Sequence, residues 1–174
     1  DDVIHCNAAD NFVTPSYYVQ KMMNENLGKQ NLLWTESNNR TTAEGNRQIG
    51  VGTWNTTAVY DDVKVTDATG NQLAADDFSG DTSAWTLNTG TWQVTDGSLA
   101  ESANTSNCTA ILNAPINNGN YIYKVRAKKT AGSEGFLIVF NYKDNNNFTW
   151  WNIGGWSNTR DIIENCVSGT KTTL

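Results

Sequence analysis

The sequence predicts an all-β sandwich preceded by a short strand-helix segment. From residue 47 onward, short runs alternating apolar and polar residues recur with turn signals roughly every eight to twelve residues, the rhythm of a sandwich or jelly roll. Asp96-Gly97 separates two such runs and supplies a two-residue hairpin turn. The run 136–142 is apolar on both faces near its middle, as in a central strand between two covering layers.

The strands follow in order. Ile49, Val51 and Thr53 alternate with Gly50 and Gly52. After a turn at 54–57, Val59, Asp61, Val63 and Val65 alternate with Tyr60, Asp62 and Lys64. Leu73 and Phe78 bracket a short extended region, and runs 85–87, 91–94 and 98–100 come next. Run 108–112 reads as a strand, Asn118-Gly119 as a turn, and 121–128 as a long strand. On that strand Lys124, Arg126 and Lys128 share one face, which predicts a solvated outer surface. Runs 136–142, 148–153 and 160–165 complete the pattern, with a turn over 143–147.

Residues 1–34 break the rhythm. Val3-Ile4-His5-Cys6 is a short strand candidate. Thr14-Pro15 supplies a capping hydroxyl and a proline suited to the first helical position. Tyr18, Val19, Met22, Met23 and Leu27 then follow at helical spacing, and Gly28 stops the helix. Leu32-Leu33-Trp34 resumes an extended segment, so this region has an α/β signature. Residues 35–46 form a polar linker, which sets the division as 1–34, 35–46 and 47–174. Both ends fall abruptly, as if cut from a longer protein.

Composition narrows the function. The chain has 174 residues, a net charge of −6 and only 17% charged residues. Its mean hydropathy is −0.53 and its pI about 4.6. Asn, Thr, Ser and Gly therefore cover the surface, which suits a secreted protein that meets neutral polysaccharide. No broad basic face exists to displace counterions, so a nucleic-acid partner is excluded. No apolar run approaches membrane-spanning length. Cys6, Cys108 and Cys166 cannot all pair, and a Cys108–Cys166 bridge is conceivable. The cysteines and the single histidine, His5, lack zinc spacing.

The segment 150–160, Trp-Trp-Asn-Ile-Gly-Gly-Trp-Ser-Asn-Thr-Arg, mixes three indoles with amides and a guanidinium. Indole faces stack on sugar C–H faces, and amides and arginine bond hydroxyls. Trp54, Trp151, Asn152, Trp156, Asn158 and Arg160 are therefore the candidate carbohydrate-binding residues. Alternation puts Trp150 with Phe148 and Trp151 on the opposite face, so Trp150 is expected in the core and Trp151 in solvent. The plainer alternative is that these indoles fill a sandwich core.

Thr14-Pro15-Ser16-Tyr17-Tyr18-Val19-Gln20-Lys21 resembles a segment of glycoside hydrolase family 51 α-L-arabinofuranosidases, with Ser16 where that family has Asn. Stretches 50–56, 77–79, 132–138 and 150–159 resemble a concanavalin-like β-sandwich carried by many such enzymes. The resemblance implies that 1–34 ends a catalytic (β/α)8 barrel and that 47–174 is a concanavalin-like jelly-roll sandwich. The family usually continues past the point matched by Leu174, which leaves a truncated sandwich open. The implied parent is a secreted or periplasmic enzyme removing arabinofuranosyl groups from plant polysaccharide. Its partners would be plant polysaccharide or arabino-oligosaccharides and the catalytic barrel missing from this chain. The retaining mechanism needs two glutamates on earlier barrel strands. No glutamate here sits in a matching segment, so no catalytic residue is carried over. Sugar-binding jelly rolls often hold a structural calcium ion, for which Asp76, Asp77 and Asp144 are candidates. Solvated turn acids are the commoner use of such residues. The expected role is carbohydrate binding or substrate positioning, with pure buttressing of the barrel as the alternative.

Overall fold

The computed structural model describes residues 47–116 and 120–174. The strand, helix and linker expected before residue 47, and the turn at Asn118-Gly119, lie outside the described residues.

The described chain forms β1 (Gln48–Thr53), β2 (Thr56–Asp67), β3 (Gln72–Asp76), β4 (Trp85–Leu87), β5 (Trp92–Thr95), β6 (Ser98–Glu101), β7 (Cys108–Leu112), β8 (Tyr121–Gly132), β9 (Phe136–Asp144), β10 (Asn147–Gly154), β11 (Arg160–Val167) and β12 (Thr170–Thr173). They build two antiparallel sheets in a sandwich of jelly-roll type. The larger sheet runs β12-β11-β10-β9-β1-β7-β4. The smaller runs β3-β2-β6-β5, with β8 along β2. The Asp96-Gly97 turn forms as expected, with φ of 51° and 72° joining β5 to β6. β12 was not expected. Its Thr-Lys-Thr-Thr sequence carries no apolar alternation, and it forms by pairing with β11 at the sheet edge.

The main core lies between the sheets. Ile49 and Val51 of β1, Tyr60, Val63 and Val65 of β2, and Leu99, Ala110 and Leu112 are buried together. β8 turns Tyr121, Tyr123, Val125 and Ala127 toward this core and leaves Lys124, Arg126 and Lys128 exposed, as its alternation predicts. Two phenols tie the sheets to β1: Tyr123 Oη donates to Gly50 O at 3.0 Å, and Tyr60 Oη donates to Gly52 O. Burial pushes both phenol pKa values up.

A second buried cluster lies on the opposite face of the larger sheet. It holds Ile111, Leu137, Val139, Phe148, Trp150 and Cys166, flanked by Trp54 and Tyr142. Gly50 makes room for it, because a Cβ there would lie 2.7 Å from Ile111 Cδ1. β9 is therefore apolar on both faces for the reason its sequence suggests: it is central, and both faces are at least half covered.

The Cys108–Cys166 bridge is contradicted. Both thiols are free and buried. β7 and β11 are separated by β1, β9 and β10. At about 4.8 Å per strand that spacing is about 19 Å, beyond any disulfide.

Candidate functional site

Three connections meet at one end of the larger sheet. Thr53, Phe136 and Ile153 pair in a row across β1, β9 and β10. The β1–β2, β8–β9 and β10–β11 loops therefore all leave from that end. The backbone N–H of Trp54 donates to Gly135 O at 3.0 Å, and Thr56 Oγ1 donates to Glu134 O at 2.6 Å. Lys129 Nζ donates to Glu134 O at 3.2 Å and also to Asn158 Oδ1. The Ser157 N–H donates to Glu134 Oε1 at 3.1 Å, so the middle loop holds the other two.

The β10–β11 loop is a tight left-handed turn. Gly154 has φ 74°, and Trp156, Ser157 and Asn158 follow at 49°, 59° and 62°. A left-handed conformation costs an L-residue roughly 1–2 kcal/mol, and three in succession are unusual. The turn is pinned by Gly154 N–H to Asp161 Oδ1 at 2.7 Å and by Thr159 Oγ1 to Trp156 O at 2.6 Å. At its tip Trp156 is 42% exposed. The Arg160 guanidinium lies over its ring, 5.9 Å from the centroid. Asn158 is exposed beside them.

The other sequence candidates take different positions. Asn152 is 6% exposed, walled by Gly135 and Gly155. A Cβ at 135 would collide with Asn152 Oδ1, and one at 155 would sit 2.8 Å from Nδ2, so both positions need glycine. Asn152 Oδ1 has no hydrogen-bond donor in reach among the described residues. Trp150 is buried as expected, and its Nε1 donates to Glu164 Oε2 at 2.8 Å. Trp151 lies on the opposite face as expected, but half-buried instead of in solvent, since Ile138 and Ile163 flank it in register. Trp54 is half-buried and meets Trp150 edge-on at 6.1 Å.

Sequence reasoning missed Lys129, Glu134 and Lys171. The Lys171 ammonium sits 4.4 Å from the Trp54 ring centroid and 4.5 Å from that of Trp150. Desolvation lowers its pKa, opposed by the nearby Cys166 and Glu164. Only the β11–β12 register reveals it, because that pairing sets Lys171 opposite buried Cys166.

The three candidate calcium ligands do not come together. Asp76 ends β3 of the smaller sheet and Asp77 follows it, while Asp144 ends β9 of the larger. Asp76 accepts from the Phe78 N–H and Trp85 Nε1, at 2.8 and 2.7 Å. Asp77 accepts from Ser79, and Asp144 from Asn146 and Asn147, and these bonds hold both carboxyls below the usual range. Among the described residues no three metal-ligating side chains converge. A cavity of about 690 Å³ on the smaller sheet is lined by Asp62, Lys64, Asp76, Asp77, Lys124 and Arg126 among others. It has no aromatic wall, and Asp61 and Asp62 already pair with Arg126.

No family model matches the chain, and neither does a solved structure. An extracellular exo-alpha-L-arabinofuranosidase of Streptomyces chartreusis is 38% identical over 176 residues, 99% of this chain. The chain is related to a segment of an arabinofuranosidase. The resemblance to an arabinofuranosidase read from the sequence is thereby borne out. The chain spans about a fifth, 21%, of that relative's length. Among the described residues no helix is long and apolar enough to cross a membrane.

Proposed function

We propose that this β-sandwich is a non-catalytic carbohydrate-binding or substrate-positioning part of a secreted arabinofuranosidase acting on plant arabinose-containing polysaccharide. The observation that carries the reading is Trp156. A large indole is held in solvent by a left-handed turn, with Arg160 and Asn158 beside it. Nothing in packing requires that arrangement, whereas a sugar ring stacking on the indole would use it. Arg160 and Asn158 would bond hydroxyls at the ring edge. Trp54 offers a second, half-covered indole at the same end. Asn152 is buried between the loops, walled by Gly135 and Gly155.

Binding of this kind is weak, and about 1 mM corresponds to roughly −4 kcal/mol. Its use is tethering: joined to a catalytic barrel, even a weak site raises the local concentration of substrate. No described glutamate is assigned to catalysis. Glu101 is 1% exposed and accepts from Thr53 Oγ1 and the Ala103 N–H at 3.0 and 2.7 Å. Glu134 and Glu164 hold Ser157 and Trp150.

Burial of Trp150 and Asn152 favours a second reading, in which the sandwich only buttresses the barrel. Tryptophan fluorescence titrated with arabinan, arabinoxylan and arabino-oligosaccharides separates the two. The binding reading expects a saturable change that Trp156→Ala weakens at least tenfold without altering the unfolding curve. Flat titrations of the unaltered chain support the buttress.

A further inference from the structure

We propose a second glycan contact on the outer face of the larger sheet, where the Lys171 ammonium, lying across the indoles of Trp54 and Trp150, pairs with the carboxylate of a uronic acid residue. The inference rests on the carbohydrate-binding reading and adds a chemical class of ligand to it.

An ammonium has three N–H donors. Among the described residues Lys171 has two indole faces, at 4.4 and 4.5 Å, and no hydrogen-bond acceptor or ion-pair partner. Other cations differ. Arg126 is paired with Asp61 and Asp62, and Lys129 donates to Glu134 and Asn158. Lys64, Lys124 and Lys128 are exposed, so water satisfies them. Lys171 is half-buried, and burial already disfavours its charge. The neighbouring carboxylate, Glu164, is committed to Trp150 Nε1 at 2.8 Å. A partly desolvated cation with unmet donors favours an incoming anion more than a solvated one does.

The aromatic wall selects a sugar acid over a bare anion. Trp54 is half-buried beside the ammonium, and a pyranose ring stacking on its open part would bring its carboxylate to Nζ. Lys171 itself pairs opposite Cys166, toward the other end of the sheet, and Trp54 is the link to the Trp156 end: its N–H donates to Gly135 O, in the loop whose Glu134 holds Ser157. The net charge of −6 argues against a polyuronate. Screening falls off over about 8 Å at physiological salt, so one carboxylate in a neutral chain meets Lys171 alone, while a run of them meets the acidic remainder.

The test titrates the full chain, by tryptophan fluorescence, with a neutral xylo-oligosaccharide, the same oligosaccharide bearing one glucuronic acid branch, and free glucuronate. The charged oligosaccharide is expected to bind about tenfold tighter than the neutral one at low salt, with the advantage lost near 0.5 M salt. Lys171→Met, which keeps the apolar stem, should abolish the preference, and Lys171→Arg should retain it. Denaturant unfolding of both variants verifies that they fold, and the Arg variant carries the test if the Met variant does not. Equal affinity for charged and neutral oligosaccharides overturns the inference while the binding reading stands. A preference that survives Lys171→Met also overturns it, as does free glucuronate binding as tightly as the oligosaccharide. Absence of binding by every oligosaccharide overturns this inference and the reading beneath it together.

Discussion

Between the sheets, the buried polar groups Tyr60, Tyr123 and Glu101 each meet a partner, and aliphatic and aromatic side chains fill the rest. At the loop end and on the outer face of the larger sheet the balance differs. Three successive side-chain-bearing residues are left-handed, Asn152 Oδ1 is orphaned, and Lys171 faces only indoles. The first region is built for stability. The second retains strain and unmet polarity that folding alone does not require, which is the signature expected of a binding surface.

The largest effect should come from the core. Leu99→Ala removes a fully buried side chain and should cost about 2–5 kcal/mol in denaturant unfolding. The variant, where still folded, should bind glycan as before; a large loss of affinity would mean the two regions are not separable. The loop end should respond in the opposite direction. Ser157→Gly keeps the N–H that bonds Glu134 and relieves a φ of 59°. Offset by the entropy of glycine, the net gain should be up to about 1 kcal/mol. A clear destabilisation would show that this turn is not strained.

The smallest effect lies far from both regions. Asp67 ends β2, partly covered, and accepts from Thr69 and Asn71, which lowers its pKa to about 2. Its folded-state pKa is depressed, so its stabilising contribution is present above the ordinary aspartate value, about 4, and is lost as pH falls through about 2. Asp67→Asn should flatten acid unfolding in that window and leave glycan binding alone. Identical acid unfolding of the two proteins would remove the turn from the account.

How much of this was legible in sequence follows from periodicity. Residues 108–112 and 136–142 showed themselves because period-two burial writes itself into alternation and central strands into apolar runs. The Asp96-Gly97 hairpin showed itself because few other pairs tolerate two positive φ angles. β12 did not, since an edge strand of Thr and Lys satisfies its backbone without apolar residues. Opposite faces for Trp150 and Trp151 followed from alternation, but the half-burial of Trp151 depended on Ile138 and Ile163 as neighbours, which requires sheet order. Nothing in Trp156-Ser157-Asn158 announced the left-handed turn between the last two runs. Lys171 was invisible because its indoles lie far away in sequence.

The most direct measurement follows the seven indole N–H signals by NMR during titration with an arabino-oligosaccharide. The account predicts that the Trp156 signal moves most and saturably, while buried Trp150 and Trp85 stay nearly fixed. No movement at Trp156 at millimolar sugar, or movement confined to core indoles, would contradict it.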